Sequence, residues 1–280
     1  MKQRFSRHTA VLLLAFSSLF FVSTSLFSLE SNLQEDISEI VTSVGVSPNR
    51  SALIISCVED GRRWVSGKHR LEFLYPPAST AKIPHTLVAL EEGYAEGPET
   101  LFEWDGEKRF LDVWNQDHSL QSAYKYSVVW VYQRITQNLG HDVMSSWIDR
   151  LQYGNQYIGC PEDISTYWLD GPLKTSTEQQ VVFLKALALE NLPLSTRIYE
   201  NAKAIMMEDC GKEWSLYAKT GFSNSIGWYV GWVEIFSQDD KRTYVFAFNM
   251  DIDSWDELPK RKEVVREAFH CLGILPRIRG

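Results

Sequence analysis

Ser79 and Lys82 stand three residues apart in Tyr75-Pro-Pro-Ala-Ser-Thr-Ala-Lys-Ile-Pro84, a spacing that could make an activated nucleophile. A serine hydroxyl is a weak nucleophile at neutral pH until a neighbouring base takes its proton. Residues three apart on a helix share a face, so Lys82 would project beside Ser79 if a helix begins here. Two prolines followed by Ser-Thr fit a helix start, and a nucleophile there would sit at the positive end of the helix dipole, where a developing oxyanion is stabilised. Taken alone, the pair is equally readable as a capping serine with a surface lysine.

Three further motifs follow in order. Ser127-Val-Val129 precedes an apolar periodic stretch, and Tyr153-Gly-Asn155 reads as a loop at a helix end. Lys219-Thr-Gly221 follows the apolar run Trp214–Ala218, which puts a cation on a strand edge with a glycine that lets a ligand approach the backbone. Ser-x-x-Lys, Ser-Asp-Asn and Lys-Thr-Gly together mark serine enzymes that react with penicillins. Here Ser-Val-Val replaces Ser-Asp-Asn, and Tyr-Gly-Asn is added. The combination resembles the class D, oxacillinase-type, serine β-lactamases. Phe102-Glu-Trp-Asp-Gly106, Trp168-Leu-Asp-Gly-Pro-Leu-Lys174 and Gly227-Trp-Tyr-Val-Gly-Trp-Val-Glu234 extend the likeness over roughly residues 50 to 275.

The resemblance implies hydrolysis of β-lactams through an acyl-enzyme on Ser79, with small-molecule β-lactams as the partners. It implies a carbamate on Lys82, formed from carbon dioxide, as the base, and no other cofactor and no metal. Val129 and Trp168 would line the lysine, the Trp168 indole offering one donor to the carbamate, although Trp168 is also readable as a core tryptophan. Ser127 would relay a proton to the leaving nitrogen, or else serve only as a helix N-cap. Lys219 and Thr220 would face the substrate carboxylate, and the backbone amides of Ser79 and Phe222 would form the oxyanion hole. Arg261 would grip the carboxylate with its guanidinium fork; Lys260 and Lys262 are alternatives if the register differs by one. Tyr153 and Asn155 read as cleft wall without a catalytic step. Two positions depart from the commonest family pattern. Ala81 stands where phenylalanine is usual and is expected to loosen the apolar cover of Lys82, and His85 is expected on a helix surface.

The rest of the chain must position these groups. Residues 1–28 carry Lys2, Arg4 and Arg7, an apolar stretch from Val11 to Val22 and then small residues, the layout of a secretory signal peptide. Export to the periplasm or medium is expected, without stable membrane association after cleavage. Loss of the three basic residues takes the formal charge from −8 to −11, 25 basic against 36 acidic. That surface argues against nucleic acid as a partner and requires a local basic pocket for an anionic substrate. About 250 residues remain, 29–280, enough for one catalytic domain of two joined lobes. Cys57 and Cys271 are expected to pack as small apolar residues.

Strands are expected at Ser51–Val58, around Trp64, and as a meander at 214–219, 226–236 and 243–250. Helices are expected at about 79–92, 128–139, 142–151, 196–208 and 259–272. Another, running to about Glu190, would open on a Thr175/Glu178 capping box. Strands at both ends with helices between them imply an α/β sheet lobe, antiparallel and flanked by helices, with an inserted all-α lobe. The serine β-lactamase and penicillin-binding transpeptidase fold has this plan, and the site would fall in the cleft between the lobes. Two other functions share the motifs: a β-lactam receptor that stays acylated, and a low-molecular-weight penicillin-binding protein. A receptor needs several membrane spans, and the second more often has Asn where Val129 stands.

Overall fold

The computed structural model describes residues 34–238 and 240–276; the expected leader lies outside them. The meander forms as expected, and two of its strands are longer. Trp214–Ser223 (β4), Ile226–Phe236 (β5) and Lys241–Asp251 (β6) pair antiparallel along their lengths. Asn224 and Ser225, both at positive φ, turn β4 into β5. Left-handed conformation at both central residues matches the right-handed twist of the strands they join. Ser51–Cys57 (β1) pairs with β6, and Arg63–Ser66 (β2) pairs with β1. Met207–Cys210 (β3), not anticipated from the sequence, pairs with β4 only as far as Tyr217. The order is β2-β1-β6-β5-β4-β3. Lys219-Thr220-Gly221 therefore lies inside β4, on the stretch that β3 does not cover.

Side chains alternate across a strand, and both faces of this sheet are buried. Leu53, Ile55, Tyr229, Val233, Phe246 and Phe248 pack with Ser38–Ser43 (α1) and Lys260–Cys271 (α8). Ala52, Ile54, Trp228, Val230, Trp232 and Val245 pack against the helical insertion. That insertion comprises Lys82–Glu91 (α2), Leu120–Lys125 (α3), Val129–Leu139 (α4), His141–Arg150 (α5), Thr177–Ala188 (α6) and Thr196–Met206 (α7). Its apolar side chains and those of the sheet belong to one continuous core.

Three local expectations are corrected. The helix at the first motif begins at Lys82, fed by a tighter 3-10 turn at Ala78–Ala81 that holds Ser79. The cap of α6 falls one residue later: Gln179 N donates to Ser176 Oγ and Ser176 N to Gln179 Oε1, both 3.1 Å. Thr175 is unavailable because its backbone is bridged to Tyr75, with N–O distances of 2.8 and 2.9 Å. Cys57 is buried as expected, but Cys271 is exposed.

Candidate active site

The nucleophile's turn is held from below. Trp228 Nε1 donates to Pro76 O at 2.9 Å, Thr80 Oγ1 donates to Pro77 O at 2.7 Å, and Gln180 Nε2 donates to Thr80 Oγ1 at 3.0 Å. Ala78, buried, sits at φ 50°, in the left-handed region that costs a residue with a Cβ. The Lys-Thr-Gly strand presses on the same turn: a Cβ at Gly221 would stand 3.0 Å from Pro77 O and 3.3 Å from Thr80 N. Glycine at 221 is what allows that approach, and it brings the backbone of Phe222 against the turn that carries Ser79.

Lys82 Nζ lies 3.0 Å from Ser79 Oγ. The lysine is fully buried, 4.3 Å from the centre of the Trp168 ring and 5.1 Å from that of Tyr132. Burial, reinforced by the positive charge of Lys219, holds the amine well below its ordinary range and so favours its uncharged form. Ala81 is itself buried, and the rings of Tyr132 from α4 and of Trp168 supply the aromatic cover. Trp168 Nε1 and Ser127 Oγ are both buried with no hydrogen-bond partner among the described residues. Buried polar atoms are almost always paired, so the orphaned Trp168 Nε1, in the ring that Lys82 Nζ stands over, marks a place built to receive a polar atom. A carbamate's oxygens fit the Trp168 donor.

Ser127 is not an N-cap. It stands at φ 59° between α3 and α4, and Val128 holds the cap position with no side-chain bond. Val129, the first residue of α4, packs partly buried against the core. Lys219 is almost fully buried, with Nζ 3.1 Å from Thr220 O and 5.5 Å from the Tyr124 ring centre. Burial first, then repulsion from Arg261 and Lys262, lowers its ammonium to about 7. Arg261 donates from Nη1 to Gly221 O at 2.7 Å and from Nε to Leu258 O at 2.8 Å. Gly227 makes room for it, since a Cβ there would meet Arg261 Cδ at 2.8 Å. Burial lowers the guanidinium to about 10, which leaves it charged. Lys260 pairs with Glu257, and Lys262 pairs with Glu208 beside the same strand. Of the three basic residues, Arg261 is the one hydrogen-bonded to the Lys-Thr-Gly backbone. A cavity of about 690 Å³ adjoins Lys219 and Thr220 and is lined also by Tyr126, Glu208, Lys262 and Arg266.

Two expectations fail on burial. Tyr153 is buried rather than cleft wall, its hydroxyl 3.1 Å from Gln180 Nε2 and 3.4 Å from Thr80 Oγ1. Asn155 ties loops together instead, donating to Pro172 O and accepting from Lys174 N, each at 3.0 Å. His85 is fully buried, with Nε2 2.7 Å from Tyr167 Oη and its ring edge-on to Trp168 at 5.3 Å. Every residue of α2 from Lys82 to Leu90 is buried, so the helix has no solvent face for it. The sequence carried that signal in the run Leu87–Leu90, because a helix apolar all round is a buried one. Trp255, unremarked in the sequence, packs edge-on against Phe222 at 5.3 Å and approaches Phe110 at 6.4 Å.

A serine beside a buried lysine, a second serine and another buried lysine on a glycine-bearing strand define an acyl-transferring serine enzyme of the penicillin-binding type. Residues 65–270 match the penicillin binding protein transpeptidase domain. The β-lactamase OXA-48 of Klebsiella pneumoniae is 37% identical over 204 residues, 71% of this chain and 75% of that one. The β-lactamase OXA-3 of Pseudomonas aeruginosa is 38% identical over 212 residues, 74% of each. The class D β-lactamase YbXI from Nostoc superposes with a TM-score of 0.79 at 34% identity, covering 84% of this chain and 98% of that one. FUS-1 (OXA-85), the class D β-lactamase of Fusobacterium nucleatum subsp. polymorphum, gives 0.78 at 33%, covering 85% and 97%. The chain belongs to the class D serine β-lactamases, hydrolases that open β-lactams through a serine acyl-enzyme.

Proposed function

We propose that Ser79 attacks the β-lactam carbonyl, with Lys82 as the base that accepts its proton. The amides of Ser79 and Phe222 receive the oxyanion. Ser127 passes a proton to the departing ring nitrogen, with Lys219 close enough to favour that transfer electrostatically. Lys219, Thr220 and Arg261 hold the substrate carboxylate. The support for this last role is that a buried lysine and a half-buried arginine are held by backbone carbonyls, and a desolvated cation without an anionic partner is costly. A carbamate on Lys82 would supply an anionic base able to activate both Ser79 and the hydrolytic water. Trp168 would hold it and Val129 would shield it. The observation that carries the reading is the fully buried amine of Lys82, 3.0 Å from Ser79 Oγ, standing over the ring of the unpartnered Trp168 Nε1. We further propose that residues 1–28 are an export signal and that 29–280 act as one catalytic domain in the periplasm or medium. Among the described residues no helix is long and apolar enough to cross a membrane.

A chromogenic cephalosporin mixed with the purified chain tests the activity: steady turnover supports the hydrolase, whereas a single burst identifies a receptor that stays acylated. Bicarbonate tests the base. Because the folded-state value of Lys82 is lowered, acid converts it to an ammonium that can neither take a proton nor react with carbon dioxide. Activity in degassed buffer should therefore fall as the pH is lowered and recover with added bicarbonate at fixed pH. Turnover indifferent to bicarbonate would mean that a plain amine does the work.

A further inference from the structure

His85 shares its surroundings with the amine of Lys82. The two are three residues apart on α2, hence on one side of it. The imidazole stands edge-on to Trp168 (5.3 Å, 81°) and tilted toward Tyr132 at 6.3 Å. Lys82 Nζ lies over those same two rings. The imidazole's Nε2 is bonded to Tyr167 Oη at 2.7 Å, while its Nδ1 is buried without a partner.

The tautomer follows from counting stranded groups. If the Tyr167 hydroxyl donates to Nε2, the ring proton sits on Nδ1, and one donor is left unpaired. If Nε2 donates instead, the hydroxyl proton and the Nδ1 lone pair are both stranded. A buried unpaired polar group is expensive, so the first arrangement is preferred. Burial and the neighbouring amine of Lys82 lower the imidazolium to about 3, which keeps the ring neutral with a single N–H. Two unpartnered N–H donors, His85 Nδ1 and Trp168 Nε1, then belong to rings 5.3 Å apart, and Lys82 Nζ stands over the second of them.

We infer that His85 Nδ1–H is a second hydrogen-bond donor, alongside Trp168 Nε1–H, for the carboxylate group of a carbamate on Lys82. The inference rests on the carbamate reading of Lys82. The covalent step balances simply. The neutral amine nitrogen attacks the carbon of carbon dioxide, a C–N bond forms, and one C=O π pair becomes a lone pair on oxygen. One amine proton leaves to solvent, and decarboxylation reverses each change. The product carries two oxygens that accept only. Two neutral donors satisfy them without placing another positive charge beside the lysine.

Nuclear magnetic resonance on the full chain tests this without recourse to activity. With ¹³C-bicarbonate, wild type should show a carbamate signal. The ¹⁵N spectrum of His85 should show a proton on Nδ1 and a bare Nε2, with the Nδ1 resonance moving when carbon dioxide is removed. His85→Leu should need about tenfold more bicarbonate for half-carbamylation, the weight of one bond to a charged acceptor. His85→Asn, which keeps an N–H donor, should recover part of the loss. If the wild-type chain never gives a carbamate signal, the carbamate reading fails and this inference with it. A carbamate signal of unchanged bicarbonate dependence in His85→Leu overturns the role of His85 alone. Should His85→Leu not fold, a proton found on Nε2 of the wild-type ring overturns it equally.

Discussion

The molecule buries two lysines and surrounds them differently. Lys82 stands over the rings of Trp168 and Tyr132, and the charge of Lys219 repels it, so its amine is pushed well below the ordinary range. Lys219 is as deeply placed, but it bonds a backbone carbonyl and feels Glu208 as a counterweight, so its value stops near 7. One pocket is an apolar box with unpaired donors; the other is lined by carbonyls and cations. On the proposed mechanism the same side chain would serve as a base in one and as an electrostatic anchor in the other. Burial alone does not decide which, because the partners that remain after burial do.

Four experiments press on this contrast, from the largest expected effect to the smallest. Ser79→Ala should abolish turnover and covalent penicillin labelling while circular dichroism stays native; a penicilloyl adduct on the variant by mass spectrometry would show that another hydroxyl faces the neutral pocket. Arg261→Ala should lower kcat/KM about ten- to a hundredfold, the range for losing a charge-assisted pair of about 1.5–3 kcal/mol. Wild-type kinetics in that variant, with Lys260→Ala or Lys262→Ala crippled, would put the anionic pocket elsewhere.

Lys219 supplies the third. A lysine lowered to about 7 is charged below that pH and neutral above it. KM should therefore rise several-fold from about pH 6.5 to 8.5 in wild type and far less in Lys219→Arg, whose guanidinium keeps its charge. A KM flat with pH in wild type would mean that Lys219 stays charged throughout. The smallest effect is on stability. Unfolded Lys82 binds a proton up to about pH 10.4, whereas folded Lys82 is neutral well below that, so folding must expel a proton. Lys82→Met removes this cost and should raise Tm, about 2–4 °C for each kcal/mol recovered. The gain should shrink as pH rises toward 10. A melting temperature equal to wild type at pH 6 and 9 would show that the amine is not deprotonated by folding.

The order of strands and helices was legible because the β4–β6 meander and the helices α4 to α8 have strong periodic patterns. What escaped lay where tertiary contacts decide between equal local choices. Thr175 and Ser176 are both good caps, with Glu178 and Gln179 both able to complete the box. The bridge from Thr175 to Tyr75 breaks the tie. Serine is a common cap, but Ser127 has a left-handed backbone and Val128 takes the cap position. The short elements α1, α3 and β3 carry too few residues for a period to be read. His85 was misplaced because a histidine was weighed by its polarity rather than by the apolar run that follows it.

The core of the helical insertion is also the core of one face of the sheet: Leu184 and Ile135 belong to the same packed cluster as Ile54 and Trp232. The catalytic turn lies on that seam, with Thr80 held from α6 and Pro76 from β5. Neither layer can melt while the other stays folded without tearing this cluster open. Heating should thus produce a single calorimetric transition, and the backbone amides of α2 should exchange with solvent only through complete unfolding. The site inherits the stability of the whole chain, and its chemistry should persist nearly to the melting point.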